Sequence, residues 1–226
     1  MYKNILLDLD DTLFDFKASE EIALSQSLRA FGIEPTEAVR VRYSEINISL
    51  WKRLEQKTIT RDVLLYHRFE LLLEEMGIVA DAKAIQKSYE YNLSLGHIFL
   101  PGAEQLLKDL SPTHNLYMVT NGTALVQQGR IKSSGVAPYF KGIFISQDVG
   151  YDKPDKRYFD ACFAAMEDVS PETTVIVGDS LSSDIRGGEN AGIATCWFNP
   201  KGLPRPADVR IDHEIRTLGE LYDIVK

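Results

Sequence analysis

Short apolar runs recur along the chain, and each ends in a polar or glycine-containing loop that precedes a segment with helical periodicity. The runs are KNILLDL (3–9), NLYMVT (115–120), GIFIS (142–146), TTVIVGD (173–179) and ATCWF (194–198). Their apolar positions are continuous rather than alternating, which is typical of strands covered by helices on both faces. The pattern predicts an α/β fold with a doubly wound, Rossmann-like parallel sheet.

The first two runs are separated by more than 100 residues, whereas a strand–helix–strand unit needs only about 30 in all. The intervening segment has helical spacing throughout. Thr36, Thr60 and Asp81 are each placed to begin a helix, and Gly77 is placed to end one. We therefore predict an all-helical insertion of residues 15–98 in a core made of residues 1–14 and 99–226.

The insertion begins directly after the first strand. In open α/β sheets, ligands bind outside the carboxyl ends of the strands. We therefore expect the helical insertion to be a cap domain over a site at that edge of the sheet.

Composition narrows the range of partners. The 226 residues carry a net charge of −8, with 44% hydrophobic and 26% charged residues. These values are ordinary for a soluble protein and argue against a nucleic-acid polymer or an anionic membrane as the main partner. A small anionic ligand in a local positive pocket remains compatible with them.

Targeting segments are not evident. No window approaches the roughly 18 apolar residues of a membrane span, and the N-terminus lacks the apolar stretch of a signal peptide. Cys162 and Cys196 both lie in apolar surroundings, which predicts buried free thiols and suits a reducing compartment. We expect a cytoplasmic protein.

Three carboxylates crowd the end of the first run, at Asp8, Asp10 and Asp11. An EF-hand calcium loop would need glycine at its sixth position and glutamate at its twelfth. Leu13 and Ser19 occupy those places, so this interpretation fails. An exposed acidic turn would not explain acids that directly follow a buried strand.

Polar groups also follow the next two runs. Thr120 and Asn121 lie in VTNG, and Lys153 lies in the segment YDKPD. Each segment taken alone is compatible with ordinary loop chemistry. Because parallel strands end at one edge of a sheet, however, these groups and the acids are expected to meet there.

The fourth run contributes Asp179 immediately after the strand and Asp184 five residues later. Four converging carboxylates are tolerable only with positive charge between them. Oxygen ligands without histidine or cysteine favour Mg²⁺ over zinc. We therefore predict Mg²⁺ as the cofactor, with Lys153 as the second source of positive charge.

The segments DLDDT, VTNG, KPD and GDSLSSD occur in this order, and together they resemble the haloacid dehalogenase-like hydrolase superfamily over nearly the full chain. The insertion after the first segment resembles the helical-cap subclass of that family. The resemblance implies Mg²⁺-dependent hydrolysis of phosphate monoesters through an aspartyl-phosphate. Dehalogenases of the family lack an acid at the second aspartate position, so Asp10 favours phosphatase chemistry.

The resemblance also implies roles in catalysis. Asp8 would be the nucleophile and Asp10 the general acid and base. Thr120 and Asn121 would bind the transferred phosphoryl group, and Lys153 would balance its charge.

The metal site follows from the same resemblance. Asp179 would bind Mg²⁺ together with the carboxylate of Asp8 and the backbone carbonyl of Asp10. Asp184 would support the metal waters or Lys153, and Thr12 would hold the loop that orients Asp10.

A finer similarity concerns the substrate. Residues 49–78 and 187–199 resemble the pyrimidine-nucleotide 5′-monophosphatase subgroup, which implies a nucleoside monophosphate such as UMP or dUMP. The residues that we expect to contact the leaving group are Phe16, Trp51, His67, Arg68 and Phe69. Core packing is an equally good explanation for Trp51, and a surface ion pair for Arg68.

Three alternatives remain open. A sugar-phosphate phosphatase or a phosphoglucomutase of the same superfamily would share the core motifs. A receiver-like phospho-acceptor domain would share the strand-end aspartate and the lysine, but the helical insertion argues against it. We expect a monomer or a small homo-oligomer.

Overall fold

A computed structural model describes the whole chain, Met1–Lys226. The six strands are β1 (Asn4–Leu7), β2 (Asn115–Thr120), β3 (Gly142–Ile145), β4 (Thr174–Gly178), β5 (Ala194–Phe198) and β6 (His213–Ile215). The helices are α1 (Phe16–Ala30), α2 (Glu37–Glu55), α3 (Arg61–Met76), α4 (Ala82–Leu95), α5 (Ala103–Leu110), α6 (Ala124–Ser134), α7 (Ser146–Val149), α8 (Lys156–Ala164), α9 (Arg186–Ala191) and α10 (Leu221–Val225). Five of the strands lie where the apolar runs predicted them, and β6 adds a sixth.

The strands form one parallel sheet in the order β3-β2-β1-β4-β5-β6. Ile5 and Leu7 pack into one apolar cluster, and Leu6 packs into another. Successive side chains of a strand point to opposite faces, so both faces of β1 are covered, as its continuous apolar run predicted. The Rossmann-like α/β fold is confirmed. The strand order changes direction between β1 and β4, and ligands bind at such switch points.

The chain divides into two compact units. One comprises Met1–Phe16 and His97–Lys226 and holds the sheet, and the other comprises Lys17–Gly96 and is helical. That residues 15–98 form a domain that acts as a cap stays a prediction.

Three helices of the second unit begin where the sequence predicted, after Thr36, Thr60 and Asp81, and one of them ends at Gly77 as predicted. The Thr36 hydroxyl accepts a hydrogen bond from the backbone N–H of Val39 (3.4 Å) at the start of α2. Asp81 accepts two backbone hydrogen bonds at the start of α4. Gly77 ends α3 with φ of 64°, a conformation that costs glycine little.

Two further predictions concern the cysteines and membrane spans. Cys162 and Cys196 are free and buried, as their apolar surroundings predicted. None of the helices is long and apolar enough to cross a membrane.

Candidate active site

The two central strands deliver two carboxylates to the switch point of the sheet. Asp8 directly follows β1 and Asp179 directly follows β4. The backbone N–H of Asp8 donates to the carbonyl of Val177 (3.0 Å), which continues the parallel pairing by one residue. The indole N–H of Trp197, on β5, donates to the backbone carbonyl of Asp179 (2.9 Å). The two acids therefore start from adjacent, well-fixed backbone positions.

A third carboxylate, that of Asp184, joins them from the short π-helical segment Leu181–Ile185 that follows β4. One oxygen each of Asp8, Asp179 and Asp184 lies within 4.8 Å of the others. The backbone N–H of Ser180 donates to Asp184 Oδ2 (3.1 Å). A Cβ atom on Gly178 would lie only 2.3 Å from the Asp184 carboxyl group, so glycine at this position makes room for the third acid.

Lys153 lies between these acids. Its ammonium donates to Asp8 Oδ1 (2.7 Å), to Asp184 Oδ1 (2.6 Å) and to the carbonyl of Val119 (2.8 Å). The lysine is buried, and so is Asp184. The Lys153 ammonium, which the sequence predicted at this edge of the sheet, therefore contacts two of the predicted acids directly.

The backbone of Lys153 is held by a neighbouring loop. The side-chain amide of Asn121 accepts from the Lys153 N–H and donates to the Lys153 carbonyl, both at 2.8 Å. Asn121 was predicted to bind a phosphoryl group, but here its amide fixes the loop that carries the lysine. The hydroxyl of Thr120, the other predicted phosphate ligand, is buried at the end of β2.

The protonation of the cluster is strongly perturbed. Burial raises the pKa of Asp8 to about 8, and the Asp184 carboxylate adds to this shift while Lys153 opposes it. Burial and the charges of Asp8 and Asp184 raise the pKa of Asp179 to about 9. Burial alone would lower the pKa of Lys153, but Asp184 and Asp8 together raise it. Full ionisation of all three acids is therefore unfavourable without further positive charge.

The donor set fits a divalent cation. Three carboxylates face one ammonium group, so two negative charges remain without a balancing cation. Asp8 and Asp184 are hydrogen-bonded to Lys153, but the carboxylate of Asp179 accepts no hydrogen bond from the protein. A carboxylate that lacks a donor beside two other acids is the arrangement that a hard, oxygen-seeking cation stabilises.

Asp10 and Thr12 occupy the loop after β1. The Thr12 hydroxyl accepts a hydrogen bond from the backbone N–H of Asp179 (3.2 Å). Thr12 therefore connects this loop to Asp179, a candidate metal ligand, rather than to the side chain of Asp10. Asp10 is partly exposed and lies outside the cluster of three carboxylates.

Sequence reasoning missed two residues that contact Asp10. Gln127 donates to Asp10 Oδ2 (2.7 Å), and Arg130 makes a short ion pair with Asp10 Oδ1. Both residues are buried on α6. Their spacing of three, with Ile131 next to Arg130, places them on the inner face of a helix. Two polar side chains on an otherwise buried helix face were the signal that could have found them.

The predicted leaving-group contacts have varied surroundings. Phe16 is partly buried and lies 5.7 Å from the Arg130 guanidinium. Trp51 is also partly buried, and the guanidinium of Arg61 lies over its ring at 5.6 Å. His67 pairs with Glu70 at 2.9 Å.

Arg68 and Phe69 are buried inside the helical unit instead. Arg68 donates to Asn47 (2.8 Å) and Gln86 (2.9 Å), and Phe69 packs against Tyr43 at 5.1 Å between ring centroids. Both side chains therefore already have structural partners. The predicted surface ion pair is not the environment of Arg68.

Comparisons with known proteins agree with these motifs. Residues 2–192 match the family of haloacid dehalogenase-like hydrolases. The chain is 41% identical over 224 residues to HAD-hydrolase YfnB of Bacillus subtilis, with 99% of this chain and 95% of that protein covered. The crystal structure of YfnB bound to magnesium has a TM-score of 0.95 to this chain, covering 100% of this chain and 99% of the other.

Two further relatives have named activities. The chain is 37% identical to the pyrimidine 5′-nucleotidase PynA of Streptococcus pneumoniae, with 98% of this chain and 94% of that protein covered. It is 29% identical to the pyrimidine 5′-nucleotidase YjjG of Escherichia coli, with 98% and 96% covered.

Proposed function

The chain belongs to the haloacid dehalogenase-like hydrolases and is a phosphoric monoester hydrolase, and we propose that it hydrolyses pyrimidine nucleoside 5′-monophosphates with Mg²⁺ as cofactor. One observation carries the proposed chemistry. Asp8, Asp179 and Asp184 meet around Lys153 at the switch point of the sheet. The two relatives named pyrimidine 5′-nucleotidases support the choice of substrate.

The proposed reaction begins with Asp8. A carboxylate oxygen of Asp8 forms a bond to phosphorus while the bond from phosphorus to the leaving 5′-oxygen breaks, which gives an aspartyl-phosphate. Asp10 donates a proton to the leaving alkoxide and later takes one from the water that hydrolyses the intermediate. The two acids have different surroundings in this structure, as two different roles require.

Charge balance is the main task of the remaining groups. Lys153 already touches Asp8 and is placed to offset the charge of the incoming phosphoryl group. Asp8, Asp179 and the backbone carbonyl of Asp10 would hold Mg²⁺, which when bound supplies the further positive charge that a phosphate dianion and an anionic nucleophile need. Asp184 holds Lys153 in place.

Thr120 and Asn121 remain the residues that we propose bind the transferred phosphoryl group. The proposed ligand on Thr120 is its hydroxyl. Asn121 also contributes through the Lys153 backbone that its amide fixes.

The nucleoside is proposed to contact the helical unit, which we propose is a cap domain. Trp51 is the candidate for stacking on the base, because Arg68 and Phe69 are buried among partners of their own unit. An aromatic stack on a base contributes about 1–3 kcal/mol, or roughly 5- to 150-fold.

Phosphate release from a panel of esters tests the proposal. We expect UMP and dUMP to be hydrolysed with Mg²⁺ and not with a chelator, and Asp8→Asn to abolish turnover. Trp51→Ala should lower kcat/KM for dUMP about tenfold or more while p-nitrophenyl phosphate changes little.

Three results would contradict the proposal. Undiminished hydrolysis by Asp8→Asn would refute the nucleophile. Faster hydrolysis of sugar phosphates than of nucleotides would assign the alternative substrate class, and isomerisation that needs a bisphosphate and releases little phosphate would indicate a mutase.

A further inference from the structure

Two buried side chains on α6, Gln127 and Arg130, form a network that hydrogen-bonds the carboxylate of Asp10. The side chains of Gln127 and Arg130 are both buried, whereas the Asp10 side chain is 28% exposed. Gln127 Nε2 donates to one carboxylate oxygen of Asp10, and Arg130 Nη1 donates to the other. Both oxygens of the proposed acid and base are therefore oriented from the same helix.

The two donors also hold each other. Arg130 Nη1 donates to Gln127 Oε1 (3.0 Å), which leaves Gln127 Nε2 to face Asp10. The Arg130 guanidinium lies 5.3 Å from the ring centroid of Phe14 and 5.7 Å from that of Phe16. Burial of a cation is costly unless it is paired. The rigid fork of arginine is thus fixed against a loop that carries Asp10.

The network reaches a second group of the proposed site. Gln127 Nε2 also donates to the Thr120 hydroxyl (2.8 Å). One amide nitrogen therefore links the proposed acid to the proposed phosphate ligand. A purely structural tie between α6 and the loop after β1 would not need this link.

Gly122 shows how closely this network is built. A Cβ atom at position 122 would lie 2.3 Å from Gln127 Nε2 and 2.5 Å from Gln127 Cδ. Such distances are far below contact, so any larger residue would displace the Gln127 side chain. The glycine of the VTNG segment makes room for the residue that orients Asp10.

We infer that Gln127 and Arg130 are positioning residues, which fix the Asp10 carboxylate for proton transfer to the leaving group, in register with the Thr120 hydroxyl. This inference rests on the proposed role of Asp10. Both residues contact the Asp10 carboxylate from buried positions, so their effect should pass through Asp10.

A comparison of leaving groups tests the inference. A nucleotide leaves as a poor alkoxide that needs a proton, whereas p-nitrophenolate needs none. We expect Arg130→Met and Gln127→Leu to lower kcat/KM for dUMP by about 10- to 100-fold, the scale of a misplaced catalytic group. The kcat/KM for p-nitrophenyl phosphate should stay within about twofold, because it reports the first transfer step, in which that leaving group needs no proton. In contrast, kcat should fall with both esters, because Asp10 is also the base of the second step. Equal losses of kcat/KM with both esters, or a gain in activity, would overturn the inference.

A double-mutant cycle separates positioning from general stability. In an Asp10→Ala background, Arg130→Met should cause no further loss, because the residue that it orients is gone. The same loss in both backgrounds would show that Arg130 acts independently of Asp10. Gln128→Leu is the matched control, since Gln128 is exposed on the same helix and donates a hydrogen bond to Asp148 (3.3 Å) rather than to Asp10. It should behave as the wild type does.

Crystal structures of the variants test the positioning of Asp10 without a measurement of activity. In Gln127→Leu and Gly122→Ala, the Asp10 carboxylate should lie in a new position while Lys153 still contacts Asp8. An unmoved Asp10 in both would overturn the inference, even if Arg130→Met does not fold. An inactive wild type would instead count against the proposed substrates alone.

Discussion

Replacing Asp179 by asparagine should make the metal-free protein more stable while removing its response to Mg²⁺. A carboxylate oxygen of Asp179 lies within 4.8 Å of those of both Asp8 and Asp184, yet the hydrogen bonds of Asp179 with Thr12 and Trp197 involve only its backbone and not its carboxylate. Asparagine has the same shape without the charge. The substitution therefore removes repulsion and breaks no contact within the protein.

The magnitude comes from Coulomb's law. The oxygens of this cluster lie within 4.8 Å of one another, and two ionised carboxylates at that upper limit would repel by roughly 3 kcal/mol at an effective dielectric of about 20. Because its pKa is raised to about 9, Asp179 escapes this repulsion at pH 7 by holding a proton that the unfolded chain does not hold. Asp179→Asn removes the cost of taking up that proton, and the partial exposure of Asp179 reduces the gain. We expect a net stabilisation of about 2 kcal/mol, or roughly 4–8 °C in Tm for a chain of this length.

Thermal unfolding in a chelator and in excess Mg²⁺ is the appropriate assay. In the wild type, Mg²⁺ at 100 times its Kd should add about 2.7 kcal/mol of stability, whereas the variant should gain little. The order of stability should therefore reverse between the two conditions. Asp148→Asn is the control, because Asp148 is exposed and is not one of the three clustered carboxylates.

Two outcomes would refute this reasoning. A variant less stable than the wild type in the chelator would show that the three carboxylates are not a net cost. A variant that keeps the full Mg²⁺ shift would show that Asp179 does not hold the ion.

Two further predictions concern packing and reactivity. Gly178→Ala should destabilise the protein by about 1–3 kcal/mol and abolish activity, because the new Cβ would collide with Asp184 at 2.3 Å. In the same unfolding assay Gly96→Ala should cost much less, because the nearest neighbour of a Cβ at position 96 is 3.8 Å away. Burial raises the pKa of both Cys162 and Cys196 to about 12. Iodoacetamide at pH 8 should therefore modify neither thiol in the native protein and both thiols in urea. Rapid modification of the native protein, measured by mass spectrometry, would contradict the burial of the thiols.

The sheet and the acidic cluster were predictable from the sequence for the same reason. Continuous apolar runs predict strands covered on both faces, and parallel strands bring the residues at their carboxyl ends to one edge of the sheet. Asp8 and Asp179 each come directly after such a run, so their meeting depends only on strand order. The contact of Lys153 with Asp8 could be expected from their opposite charges. The other two hydrogen bonds of the Lys153 ammonium, to Asp184 and to the Val119 carbonyl, could not be predicted from the sequence.

The surroundings of the helical unit's residues were less predictable. Arg68 and Phe69 fall on an amphipathic helix, and the sequence does not show which polar residue faces inward. In the structure the Arg68 guanidinium lies 4.8 Å from the Tyr89 ring and contacts Asn47 and Gln86. A charged residue becomes buried when partners from other helices meet it, and such partners are distant in sequence.

The side chains of the VTNG segment make contacts within the protein that the sequence did not predict. Its polar residues suggest contact with a phosphoryl group, and they also hold other parts of the protein in place. Asn121 fixes the backbone of Lys153, and Gly122 makes room for Gln127. Gln127 in turn joins Thr120 to Asp10. The loop after β2 thus orients the lysine, the hydroxyl and the proposed acid, which originate from three separate segments. Substitutions in this loop should therefore disturb several catalytic groups at once, with losses that do not add.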